Sequence, residues 1–240
     1  MTVRFGCLKS LPTTLQLEGR VTELCSQHER ATFQGLVFDF FGVLTSSMVE
    51  VIESFERREK IPAGTFYRAW ANPTGQELFR SIELGRIEQV HWNDGYAALM
   101  SDICGHRIDP DGLMERYLAD AFPAWEMIKV AKQARVSGVR TAVLSNSLGR
   151  APYDPYAAWD LSGTFDVVVL SGDVGLRKPD PAVFHLTCDR LGVSAEQCVF
   201  ADDSEENLKA AVAVGMTPLF ALDERVAASR VRLAFGLPDL

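Results

Sequence analysis

The chain has 240 residues, 47% of them hydrophobic, with a formal net charge of −8 and a pI of about 5.1. An acidic chain with no block of Lys or Arg is poorly suited to a nucleic-acid backbone, and no apolar stretch approaches the roughly 20 residues that a membrane span requires. Five scattered cysteines without a Cys-x-x-Cys pair, four histidines without metal-ligand spacing and no continuous apolar run at the N-terminus point to a cytoplasmic protein with reduced, mostly core-packed thiols.

In chain order, residues 1–34 read as an extension, with a helix expected over Leu17–Glu29. A first strand follows at Gly35–Phe40. Further strands are expected at Val139–Ser145, Phe165–Ser171, Cys198–Asp202 and Met216–Ala221. These runs are rich in Val, Phe and Leu and lack polar alternation, as strands buried on both faces do. Helical periodicity lies between the last four, notably over Pro181–Leu191 and Glu205–Val214. Alternating strands and helices imply a parallel sheet with right-handed crossovers.

About a hundred residues separate the first two strands, far more than the dozen or so that one crossover needs. Helices are expected there over Ser47–Lys60, Pro62–Ala71, Gly75–Gly85, Gln89–Ile103, Asp109–Ala121 and Ala124–Ser137. The last is the crossover helix of an α/β core formed by residues 35–45 and 121–240. The others form a helical insert, residues 46–120. On the fourth of these helices His91, Trp92 and Tyr96 read as a core stripe. Arg68, Trp70 and Arg80 are candidates to face a ligand.

In an open parallel sheet, ligands bind at the carboxyl ends of the strands. Four polar punctuations fall there: Asp39 after the first strand, Ser145-Asn146 after the second, Lys178 after the third and Asp202-Asp203 after the fourth. Carboxylates crowded together repel, so a proton or a cation must sit among them. An all-oxygen set suits Mg²⁺. A carboxylate beside a lysine and a hydroxyl can attack phosphorus. In "KPDP", Asp180 and Pro181 read instead as the N-cap and first residue of the next helix.

The stretches "VFDFFGVL", "VLSNS", "GLRKPDPAVF" and "VFADDSEENLKAA" resemble, in order, the four motifs of the haloacid dehalogenase superfamily. The insert segment "SIELGRIEQVHWNDGY" is similar to part of its helical caps. The motif style resembles the branch that holds the N-terminal phosphatase domain of soluble epoxide hydrolases. The resemblance implies a Rossmann-like core, a helical cap, and hydrolysis of a small phosphorylated metabolite. It implies that Asp39 is the nucleophile and a Mg²⁺ ligand, with the Phe41 carbonyl, Asp203 and Asp202 completing the metal site. Ser145, the Asn146 backbone and Lys178 would bind phosphate, and Asn207 would orient Lys178 or a metal-bound water.

One position departs from the phosphatase pattern. The family's usual second aspartate, which moves the proton, is here Phe41. Dehalogenases of the family carry an aromatic residue there, but their acidic motif reads Ser-Asn-x-x-Asp. The cap arginine of dehalogenases has no counterpart at its usual spacing, where Trp70 falls. A metal-dependent phosphatase with an atypical proton donor is therefore expected. The alternatives are a metal-independent dehalogenase-like hydrolase and a degenerate member that binds a phosphorylated ligand without turnover.

Overall fold

The computed structural model describes residues 33–239; the helix expected over Leu17–Glu29 lies outside them. Five parallel strands form one sheet: β1 (Gly35–Phe38), β2 (Arg140–Ser145), β3 (Val167–Leu170), β4 (Cys198–Asp202) and β5 (Thr217–Phe220), in the order β3-β2-β1-β4-β5. The architecture is the expected Rossmann-like α/β fold. Along β1, Leu36 and Phe38 enter one core with Val143 and Val199. Val37 enters the opposite core with Ala142, Leu144 and Phe200. Both faces are covered, which is why the strands read as unbroken apolar runs.

Register does much to place the polar residues. Phe38 pairs with Val143 on one side and with Ala201 on the other. The next residue, Asp39, donates its N–H to the Ala201 carbonyl at 2.8 Å, extending the ladder to the level of Asp202. β1 is shorter than expected because the chain then turns away: the Phe40 carbonyl accepts from the N–H groups of Leu44 and Thr45.

Five helices lie between β1 and the crossover helix: α1 (Met48–Arg58), α2 (Thr65–Ala71), α3 (Pro73–Glu83), α4 (Gln89–Cys104) and α5 (Leu113–Leu118). The last starts later than expected, after Pro110 and a left-handed Gly112. They share an aromatic core of Phe55, Phe66, Trp92, Tyr96 and Tyr117, with the Trp92 and Tyr96 rings stacked at 4.7 Å. His91 departs from the expected stripe: one residue before Trp92, it faces solvent. The chain enters and leaves this insert by two adjacent segments, bridged antiparallel at Thr45 and Pro123.

The crossover helix α6 (Trp125–Val136) returns to β2. Between β2 and β3 the expected helix is reduced to one turn, α7 (Leu161–Thr164), after a long loop. The turn α8 (Ser171–Val174) and α9 (Pro181–Leu191) follow β3, and α10 (Glu205–Ala213) follows β4. Asp180 caps α9 as expected, accepting from the Ala182 N–H, with Pro181 in the first turn. A final helix, α11 (Glu224–Phe235), was not foreseen. Its buried face carries Ala227, Ala228, Val231 and Arg232.

In the insert, the buried Glu56 carboxylate accepts from the Gly64 and Phe66 N–H groups, each at 2.7 Å, and so pins the start of α2. Glu56→Ala removes the partner of both donors. By urea denaturation it should cost about 2–4 kcal/mol, since a buried donor without a partner costs about 1–3 kcal/mol. A loss of about 0.5 kcal/mol or less would show that these bonds do not hold α2 in place.

Candidate active site

The four punctuated strand ends meet at one edge of the sheet, with Lys178 at their centre. Its ammonium lies 2.7 Å from Asp39 Oδ1 and 2.8 Å from Asp202 Oδ2, and the residue is 1% exposed. Burial alone would push the lysine down, but Asp202 and Asp39 together outweigh it and hold the ammonium charged well above its ordinary range. Its backbone is fixed too. The Asn146 side chain accepts from the Lys178 N–H at 2.9 Å and donates to the Lys178 carbonyl at 3.1 Å.

Asp202 is fully engaged. Besides Lys178, it accepts from the Ser204 N–H at 2.7 Å and from the Asn207 amide at 3.1 and 3.2 Å. Asn207 therefore reaches Lys178 through Asp202. Asp203 is half-buried, and burial, reinforced by Asp202, pushes its carboxyl up to about 6. Burial raises Asp39 well above the usual carboxylate range; Lys178 opposes this, and Asp202 and Asp203 add to it. One oxygen from each of the three carboxylates lies within 4.8 Å of the others. Ionised together, three carboxylates against one ammonium would leave two negative charges without a counterion, and an all-oxygen donor set of this kind fits a hard divalent cation.

Asp39 Oδ1 also accepts from the Phe40 N–H at 2.6 Å. Gly42, at φ +81°, runs against Asp203 so closely that a Cβ would come within 2.3 Å of its Oδ2. Between them, the half-buried Phe41 ring packs against both the sheet-side core and the core of the insert. No proton-transferring group stands at that position.

Ser145, at the end of β2, is buried, and its hydroxyl lies 3.0 Å from the phenol of Tyr156. Sequence reasoning missed Tyr156. It sits in the irregular β2–β3 loop, where no periodicity or motif marks it. It also missed the contacts that hold the insert over the site. The Gln89 side chain donates to the carbonyls of Leu148 and Tyr153 and accepts from the Tyr153 N–H. Glu83 forms an ion pair with Arg177 at 2.6 Å, off the line of an ideal hydrogen bond. The Ser171 hydroxyl donates to the Glu83 carbonyl. Arg68, Trp70 and Arg80 are exposed, and Arg68 turns back to Thr65 of its own helix.

The family model of the haloacid dehalogenase-like hydrolases matches residues 33–215. The chain is a haloacid dehalogenase-like hydrolase. Over 220 residues this hydrolase is 27% identical to the sesquiterpene phosphatase astK of Aspergillus oryzae, covering 85% of the chain and 98% of astK. It is 27% identical over 211 residues to acyl-CoA dehydrogenase family member 10 of Mus musculus, covering 86% of the chain and 20% of the mouse protein. The fold is similar to that of a haloacid dehalogenase family enzyme of Bacteroides thetaiotaomicron, solved in complex with magnesium and inorganic phosphate. The TM-score is 0.56 at 20% identity, over 78% of this chain and 93% of that one.

Gly42 and Gly64 separate two costs. Both are left-handed, but a Cβ at Gly64 meets nothing within 4 Å. Gly64→Ala should cost only left-handed strain, about 1–2 kcal/mol. Gly42→Ala adds the clash with Asp203 and should cost at least about 1 kcal/mol more. Equal losses in denaturant titrations would mean that Asp203 does not press on this turn.

Proposed function

We propose that this hydrolase is a Mg²⁺-dependent phosphatase acting on a small phosphorylated molecule through an aspartyl-phosphate at Asp39. The observation that carries the reading is the crowding of Asp39, Asp202 and Asp203 around one lysine. Such a cluster is costly without a cation. Asp39, the Phe41 carbonyl and Asp203 would hold Mg²⁺, with Asp202 behind them. The ion, when bound, offsets the negative charge of the phosphoryl group and its carboxylate neighbours. A phosphatase among the relatives, and the magnesium and phosphate of the Bacteroides enzyme, support the same choice.

The chain's own groups divide the work. Lys178 and the Phe40 N–H hold Asp39 Oδ1, leaving Oδ2 as the attacking atom. Its bond to phosphorus forms as the ester P–O bond breaks. Water then attacks phosphorus, the P–O bond to Asp39 breaks, the carboxylate is restored, and phosphate leaves as H₂PO₄⁻, carrying both protons of the water. Lys178, the Ser145 hydroxyl and the Asn146 N–H hold the phosphoryl oxygens. Asn207 and Asp202 orient Lys178. The helical insert acts as a cap that keeps bulk water out.

Phe41 narrows the substrate. A positioned proton donor is worth about 10²–10⁴-fold, and a phenyl ring supplies none. The leaving group must therefore depart as a stable anion: an aryl oxide, a carboxylate or a phosphate. Phe41 also favours a second reading, in which the site binds a phosphorylated ligand without turning it over. A dehalogenase-like reaction would leave Asp203 without a task, because halide departs without a cation.

The test compares para-nitrophenyl phosphate with an alkyl phosphate. The wild type should release phosphate from the aryl ester, strongly prefer it over the alkyl ester, and lose activity in EDTA and in Asp39→Asn. In Phe41→Asp, provided the variant is folded, alkyl turnover should rise by about tenfold or more. Absence of aryl turnover with Mg²⁺, with phosphate still bound, would establish the binding-only reading. Halide release from a 2-haloacid in EDTA would establish dehalogenation.

A further inference from the structure

Tyr156 belongs to none of the four motifs, yet its phenol lies within hydrogen-bond distance of a residue that the phosphatase reading puts on phosphate. The contact between Tyr156 Oη and Ser145 Oγ, at 3.0 Å, is buried. Tyr156 is 5% exposed and Ser145 fully enclosed, so bulk water does not compete for either hydroxyl.

The direction of the phenol is set from three sides. The ring lies 4.7 Å from that of Phe40 and 5.9 Å from that of Phe41. Its N–H donates to Asp154 Oδ1 at 2.9 Å, which fixes the turn that carries it. Upstream in the same loop, Gln89 of the insert holds the backbone of Leu148 and Tyr153. A serine hydroxyl rotates to suit its surroundings. A phenol held this firmly restricts that rotation. The Ser147 hydroxyl also faces the phenol.

We propose that Tyr156 is a positioning residue of the phosphate subsite: it donates its phenolic proton to Ser145 Oγ and so aims the Ser145 proton at the bound phosphoryl oxygen. The inference rests on the phosphatase reading given above. The proton count is consistent. Each hydroxyl has one proton to give, the phosphoryl anion accepts the one from Ser145, and the oxygen of Ser145 accepts the one from Tyr156. No proton changes owner. Hydrogen bonds in such a chain polarise one another, so the phenol strengthens the donor it does not replace. Its ring stands beside that of Phe41, and it acts on phosphate only through Ser145.

The experiment is a double-mutant cycle on the full chain with Mg²⁺, titrating inorganic phosphate by calorimetry. Tyr156→Phe keeps the ring and removes the hydroxyl. It should raise the Kd for phosphate about three- to tenfold, the usual worth of one neutral hydrogen bond. In the Ser145→Ala background the same change should matter less than about twofold, because the group it acts through is gone. Equal weakening in both backgrounds, including that from a folding defect, would overturn the proposal. So would wild-type affinity in Tyr156→Phe. If the wild type itself binds no phosphate with Mg²⁺, the phosphatase reading fails and this inference with it. Tight binding by the wild type with an inert Tyr156→Phe overturns this inference alone.

Discussion

An ammonium that is 1% exposed and bonded to two carboxylates is the interaction on which the rest of the site depends. Lys178 joins the end of β1 to the end of β4. Either carboxylate alone, buried this deeply, would be driven towards its neutral form. The lysine keeps Asp39 within reach of ionisation, and the two aspartates keep the lysine charged. Truncating Lys178 would leave both buried carboxylates without their counterion, which is far costlier than losing a surface pair; truncating either aspartate would still leave the lysine paired with the other.

The surroundings serve that triad. Asn146 clasps the Lys178 backbone from the end of β2, and Asn207 holds Asp202 from the first turn of α10. Arg177, next in sequence to Lys178, pairs with Glu83 of the insert. The seating of the insert and the position of the lysine are thus tied to one loop. A second tie runs from Gln89 through the β2–β3 loop to Tyr156 and Ser145. Lys178 and Ser145, two of the groups that the proposed phosphatase reading puts on phosphate, stand at the end of contacts that begin in the insert, so on that reading opening the insert would loosen the phosphate subsite.

Much of this was legible in the sequence because it is local. A strand buried on both faces leaves an unbroken apolar run, and a polar residue at its end stands out; Asp39, Ser145 and Asp202 were visible in this way, and Lys178 in the segment that follows the third strand. Parallel topology then gathers strand ends at one edge whatever the side chains are. The register that sets Asp39 level with Asp202 is a property of pairing across about 160 residues of chain, and nothing in either strand alone announces it. Tyr156 sits in an irregular loop, where neither period nor motif applies, and the partners that Gln89 finds are backbone groups of the same loop. Helix α11 went unread although its buried positions, Ala227, Ala228, Val231 and Arg232, recur at helical spacing. His91 was misplaced because one residue of phase on a helix, 100°, separates core from solvent.

The central claim is that Asp39 forms a bond to phosphorus. Acid quenching during turnover of an aryl phosphate with Mg²⁺, borohydride reduction and peptide mapping test it directly. The account predicts phosphoaspartate at Asp39, accumulating because Phe41 cannot activate the water that would cleave it. Steady phosphate release with no label on Asp39, or with the label on another residue, would contradict it.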